Sequence, residues 1–270
     1  MKNILYILSV FLFLSCEDKV DIALENAAPK LVIDASILWA KGTTGNEQKI
    51  KLTTTTDFYS NTIPKVSGAS VTIKNSANTY FYFIETPNTG EYICSNFQPV
   101  IGENYTLTIQ YQGNTYTSTE KLVATPPITN IEQISVPGFT ENVIQIKFFY
   151  QDNGNQDNYY ITSFTHNSSI LPDYTAIKDK FFQGNLMFGF YSNDKIKSGD
   201  PLFMTLQGVN LQYFEYMSKI INMSGSQGGS PFSTPSATVK GNVINQTNPT
   251  NFPLGYFHLS EIDAKNYIVQ

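Results

Sequence analysis

The sequence predicts a mainly β protein, in which an N-terminal immunoglobulin- or transthyretin-like β-sandwich is followed by a second β-rich domain with one helix. Three observations carry this prediction. Aromatic residues make up 14% of the 270 residues and Thr and Asn are abundant, a mixture that favours strands and turns. Apolar and polar residues alternate in short runs punctuated by Gly, Pro and Asn. Only near 210–223 does the apolar period lengthen to three and four residues. With 41% hydrophobic residues, the chain can bury a sizeable core.

The elements follow in order. Leu31, Ile33, Ala35 and Ile37 alternate with Val32, Asp34 and Ser36, a strand pattern. Ile50, Leu52 and Thr54 continue it after a Gly42–Asn46 turn, and Ala69, Val71 and Ile73 form another run. Thr79–Ile84 is aromatic on both faces, which predicts a strand covered on both sides. Tyr105, Leu107, Ile109 and Tyr111 lead to Tyr116, Ser118 and Glu120 through Gly113-Asn114, a pair suited to the positive φ of a tight hairpin. About seven strands over 30–123 fit a sandwich. Ala124-Thr125-Pro126-Pro127 then removes two backbone donors and marks a domain boundary, so 124–270 is read as the second domain. Its strands are Val143–Tyr150, Tyr159–Thr165, Phe181–Tyr191 and Pro201–Gln207. Leu211, Phe214, Met217 and Ile221 share one helical face, with Asn210 as N-cap and Gly225 as stop. A Gly/Ser loop over Ser224–Pro231 follows. Ala237-Val239, Val243 and Gly255–Leu259 read as closing strands. No repeat of fixed period is visible.

The first residues read as an address. Met1-Lys2-Asn3 is a short positive start, and Ile4–Leu14 is apolar apart from Ser9, too short to span a membrane. Residues 1–15 therefore read as a signal peptide of lipoprotein type. Phe13-Leu14-Ser15-Cys16 resembles a bacterial lipobox, with Phe13 where Leu is usual. The Cys16 thiol would carry diacylglycerol through a thioether, and its new α-amine would accept a further acyl chain. Two or three chains anchor stably where one does not. Residues 16–29 form a polar tether, and Glu17-Asp18 directly after Cys16 resembles the surface-export signal of Bacteroidota lipoproteins.

Charge and ligand chemistry exclude several functions. All 17 basic residues are lysines and the net charge is −5, so neither the guanidinium fork nor the basic patch of a nucleic-acid binder is present. Cys16 and Cys94 have no metal-ligand spacing, and His166 and His258 are far apart. With Cys16 lipidated, Cys94 reads as a lone buried thiol. The loop from Asp152 to Asn158 offers the one weak calcium candidate, through Asp152 and Asp157. Gly154 falls where an EF-hand has a ligand, however, and a turn between Tyr150 and Tyr159 explains the loop. No Gly-x-Ser-x-Gly elbow occurs, and Asp173, Asp179, Glu215 and Glu261 are scattered. No catalytic residue, metal or cofactor is expected.

Several blocks carry a family resemblance. They are the lipobox-like start with Pro29–Asp34, Val66–Ile73, Gly90-Glu91-Tyr92, Asp152 with Asn158-Tyr159-Tyr160, Phe232–Pro235, Gly241-Asn242-Val243 and Leu254–Phe257. In this order they resemble the Bacteroidota outer-membrane lipoproteins grouped as domain of unknown function 4249 (DUF4249). The resemblance implies an outer-membrane lipoprotein, often encoded beside a TonB-dependent receptor, and the Glu17-Asp18 pair adds the expectation that it faces the cell surface. It implies no catalytic residues. The expectation is a non-enzymatic accessory or binding partner of such a transporter in nutrient uptake, held in outer-membrane lipid through Cys16. The alternatives are a surface hydrolase of glycans or peptides, or a plain adhesin. Surplus aromatics suit a packed contact, and Tyr213 and Tyr216 on the helix are candidate partner contacts. Ligand identity is not legible.

Overall fold

The computed structural model describes residues 28–57, 60–138, 142–167, 169–224 and 238–270. Cys16 and Ala237 lie outside them. The chain is mainly β, with strands β1 (Leu31–Ala40), β2 (Gln48–Thr54), β3 (Ser70–Asn75), β4 (Tyr80–Thr86), β5 (Glu91–Cys94), β6 (Asn104–Tyr111) and β7 (Asn114–Val123) in its first half. The second half holds β8 (Ile128–Pro137), β9 (Asn142–Gln151), β10 (Tyr159–His166), β11 (Asp173–Lys178), β12 (Leu186–Ser192) and β13 (Pro201–Val209). Helix α1 (Leu211–Ser224), β14 (Ile244–Asn245) and β15 (Leu254–Ile268) complete it.

The alternating side chains of β1 are buried every second residue, as a period of two requires. This strand pairs antiparallel with β2 and parallel with β15, with Ile33 opposite Gly255. Around the first core the order is β15-β1-β2-β5-β4-β3-β6-β7, and Leu122 and Val123 of β7 return to Leu259 and Ser260 of β15. The first unit is thus an eight-strand closed ring around Ile33, Ile37, Leu52, Tyr92, Leu107 and Phe257. Closure removes free edges, which an open sandwich would leave exposed. Side chains this well buried contribute about 1.5–3 kcal/mol each.

Beyond β15 the same sheet continues through β13 and β10 to β11, which is its edge. A second sheet, β12-β9-β8, lies over this extension. Ile146, Phe148, Tyr150, Phe164, Met204 and Leu206 fill the space between the layers. On the opposite face α1 packs Tyr213 against Ile161, Val209 and Tyr256. Strand β10 is therefore covered on both faces, which accounts for its nearly continuous burial.

Several expectations are corrected. The expected division at residue 123/124 does not separate the strands. β14 pairs with β7, and β15 serves both units by pairing with β1 through Ile262 and with β13 from Ile262 onward. The Pro126-Pro127 segment is pinned to that strand. The Thr125 amide donates to Glu261 Oε2 at 3.0 Å, and the Ile128 amide to Asp263 Oδ2 at 2.6 Å. Strand β4 is covered on one face only, since Phe81 and Phe83 are buried while Tyr80, Tyr82 and Ile84 are exposed. The β6–β7 turn is built on Gln112 (φ 47°) and Gly113 (φ 75°), one residue earlier than Gly113-Asn114. Strands β8 and β11 lie outside the segments whose pattern predicts strands, and residues 238–240 form no strand. The helix matches its expected span, and Asn210 Oδ1 accepts the Tyr213 amide at 2.8 Å as an N-cap should.

Candidate functional site

The edge strands β11 and β12 do not pair with each other. Each ends its own sheet, and a cleft of about 630 Å³ opens between them. That volume lies in the range of ligand sites. Phe164, Thr175 and Ile177 line one side, and Met187 and Tyr191 the other. Asp173 and Asn193 stand at one end, Lys178 and Phe182 at the opposite end. Strand β12 therefore runs back antiparallel to β11 across the gap.

The local sequence explains the opening. Leu186-Met187-Phe188-Gly189-Phe190-Tyr191-Ser192 is an uncharged alternating run. Met187 and Tyr191 turn inward and are buried, while Leu186, Phe188 and Phe190 are 58%, 45% and 53% exposed. Gly189 leaves room for the Phe148 ring, which a Cβ would meet at 2.7 Å. Native edges usually carry charge, Pro or a bulge that blocks further pairing. The residues of β12 include none of these blocking charges or prolines.

Residues 179–185 close one end of the cleft, and the Asp152–Asn158 loop buttresses them. Asp152 accepts the Tyr160 hydroxyl at 2.6 Å and the Gly184 amide at 2.8 Å. Asp157 accepts the Gln183 side-chain amide at 2.5 Å. The buried Asp179 accepts the Asn158 amide at 2.7 Å. A Cβ on Gly154 would come within 2.9 Å of Gly184 Cα, so both positions need glycine. The two carboxylates considered for calcium thus accept protein donors and hold this turn. Among the described residues no group of three or more His, Cys, Asp or Glu could hold a metal ion.

Electrostatics in the cleft are sparse. Burial, followed by the charge of Asp173, pushes the Tyr191 hydroxyl above its usual range. That hydroxyl lies near Asp173, Asn193 and Ser169 but completes no hydrogen bond among the described residues. Asp173 and Lys178 form no salt bridge among them either.

The other sequence candidates fall elsewhere. Tyr213 is 8% exposed and stacks on His258 at 3.8 Å between ring centroids, so its surface is used in packing rather than offered to a partner. Tyr216, also stacked on Tyr213, keeps partial exposure. Cys94 is buried, and its thiol, pushed up by burial, donates to Asn96 Oδ1 at 3.2 Å. His166 is buried with Nε2 3.1 Å from Asp200 Oδ2, and Glu261 pairs with Lys41 at 2.6 Å. None of these residues lines the cleft. Sequence reasoning missed the cleft because it merged Phe181–Tyr191 into one strand. Its signal was the uncharged Leu186–Ser192 run beside the Gln183-Gly184-Asn185 turn.

Among the described residues these features define a class of β-rich scaffold carrying one helix and an aromatic cleft between two strand edges. The chain belongs to the family described as "Domain of unknown function (DUF4249)", whose model matches residues 17–266. A comparison with curated proteins finds no match. Among solved structures, a two-domain fibronectin type III segment of chicken tenascin matches at 13% identity and TM-score 0.21, over 67% of this chain and 91% of that one. A cytokine receptor complex chain matches at 6% identity and TM-score 0.26, over 67% and 84%. A DUF4785 family protein from Legionella pneumophila subsp. pneumophila matches at 8% identity and TM-score 0.24, over 66% and 51%. Overlaps this loose add nothing to the description of the fold.

Proposed function

We propose that this protein is a lipid-anchored, surface-exposed outer-membrane lipoprotein of Bacteroidota type, and a non-enzymatic binding partner of a TonB-dependent transporter in nutrient uptake. Cys16 holds the anchor, and the tether to residue 29 lets the β-rich body stand off the bilayer. We read the eight-strand ring as a closed variant of an immunoglobulin- or transthyretin-like sandwich. One observation carries the binding assignment: an open aromatic cleft whose only charged lining groups, among the described residues, stand singly at its two ends. Two carboxylates set for acid/base work, or a nucleophile beside a base, would favour a hydrolase, and the cleft lining contains neither arrangement. A lipid anchor also raises the effective concentration of the protein beside any barrel in the same leaflet.

The test is recovery of the tagged protein from native outer membrane in mild detergent. Co-enrichment of a barrel protein over a tether-only control is expected, and Cys16→Ala should abolish fatty-acid labelling and release the protein. Recovery of the lipoprotein alone, or continued labelling of Cys16→Ala, would overturn the assignment.

A further inference from the structure

The phenyl ring of Phe252 holds two ammonium groups. Lys30 Nζ lies 3.8 Å from its centroid and Lys240 Nζ 4.1 Å. The two cations are therefore no more than about 8 Å apart, so salt screens their repulsion only in part. Neither makes a salt bridge among the described residues. The phenyl ring attracts both charges without neutralising them. An anion reaching both ammonium groups would neutralise them, and phosphate oxygens are strong acceptors for such donors.

Topology puts this cluster at one end of the eight-strand ring. Lys30 immediately precedes β1, Phe252 lies just before β15, and the two strands start together, with Val32 opposite Leu254. The segment after Lys240 runs beside β15, where Asn242 pairs with the Phe257 backbone. The Lys30 carbonyl accepts the Thr55 amide at 2.9 Å, which brings the loop after β2 to the same end. That loop carries Asp57 and Ile63, the latter 62% exposed, and returns through Lys65, which bridges to Thr53. The tether chooses the occupant. Lys30 stands 14 residues past Cys16, a reach of at most about 50 Å. An anchor at Cys16 thus holds this end nearer the headgroups than the far end of β1, where Trp39 lies about 26 Å further along.

We propose that this end of the eight-strand ring docks on an anionic lipid surface, with Lys30 and Lys240 binding headgroup phosphates around Phe252 and Ile63 entering the interface. The net charge is −5, so an anionic leaflet repels the molecule as a whole and admits it only by a locally cationic end. The tether permits a free and a docked body, and the patch favours the docked one. Each lysine beside an anionic leaflet raises the docked-to-free ratio about fivefold. This rests on the lipid-anchor reading above, and names the surface that meets the membrane.

The test couples the mature chain, residues 16–270, through its Cys16 thiol to maleimide lipid in vesicles, so it does not depend on acylation in the cell. Cys94 is buried and out of reach of the maleimide. Ile63→Trp supplies a fluorescent reporter, and Trp39, the single native tryptophan, is the reference. With nitroxide-headgroup lipid present, the introduced indole should be quenched in phosphatidylcholine vesicles containing phosphatidylglycerol and far less in phosphatidylcholine alone. Trp39 should be quenched in neither. High salt should reverse the quenching. Lys30→Gln and Lys240→Gln should each lower the docked-to-free ratio about fivefold, and Asp57→Asn should raise it. Equal quenching in the two kinds of vesicle overturns the proposal, as does indifference to both lysine variants. So does quenching of Trp39 equal to that of the introduced indole. Release by inorganic phosphate at constant ionic strength would assign the lysines to a free anion and overturns it as well. Fatty-acid labelling of Cys16 is a separate measurement, so failure here leaves the lipid-anchor reading standing, and failure there leaves this result intact.

Discussion

His258 shows how one buried ring sets acid sensitivity. It is 4% exposed, stacked on Tyr213, and its Nδ1 lies 3.2 Å from the Gln207 side-chain amide. Burial holds it neutral, with its pKa lowered to about 3. In the unfolded chain the ring takes its proton near 6.5. The stability it contributes is therefore complete above pH ~6.5 and is lost progressively as pH falls toward 3. By linkage the loss is on the order of 5 kcal/mol across that window. Glu120 has the opposite sign, since burial raises its pKa and favours the protonated folded form. It therefore offsets part of the loss at the acid end. Thermal melts at pH 7 and pH 4.5 should show a large drop for the wild type. His258→Phe, which keeps the stack on Tyr213, should show a smaller one. Equal drops would remove His258 as the cause. The sequence places His258 within the Gly255–Leu259 run that reads as a closing strand. It contained no signal for the Tyr213 stack, which is formed between β15 and α1.

At the scale of elements, Glu120 is the joint between β7, α1 and the segment before β14. Its carboxylate accepts the Asn210 side-chain amide, and the Asn242 side-chain amide at 2.7 Å. Asn242 also pairs with the Phe257 backbone in both directions, at 2.8 and 2.9 Å. Truncating Glu120 leaves two amides short of a partner, so Glu120→Ala should cost about 2–3 kcal/mol. Asn210→Ala should cost about 1 kcal/mol more than its lost side-chain contact, because it also removes the helix cap. In a double-mutant cycle by denaturant unfolding, Glu120→Ala with Asn242→Ala should cost clearly less than the sum. Strict additivity would mean that the two residues do not act as one joint. Periodicity in the sequence delivered α1 and its cap to within a residue, because an amphipathic period and an Asn before it are local signals. It delivered β12 only as part of a longer strand, because Phe181 and Phe182 carry the apolar run across the turn that Gln183-Gly184-Asn185 marks.

At the scale of the molecule, β15 binds the two units into one. Its first half closes the ring against β1, and its second half pairs with β13. Gly255 enters β15 at φ 89°, where a Cβ would lie 2.0 Å from the Ile33 carbonyl oxygen. Gly255→Ala should therefore cost about 2–4 kcal/mol. Because the strand is shared, urea unfolding should be a single transition by far- and near-ultraviolet circular dichroism, and Gly255→Ala should shift both probes together. Limited proteolysis should leave no stable fragment ending near Leu122. Two separated transitions, or such a fragment, would count against the shared strand. The sequence by itself determined the β-rich class, most strands of the first unit, the helix with its cap and the family. Each of these rests on residues close together in the chain, where period, turn chemistry and order can be read directly. Only the tertiary structure decided that the first unit is a closed ring, that β15 serves both units, and that β11 and β12 leave a cleft between them. Strand pairing joins residues more than a hundred positions apart, and the energy of closure lies in backbone hydrogen bonds that every residue type except proline can donate. No local pattern records which edge is paired and which is left open.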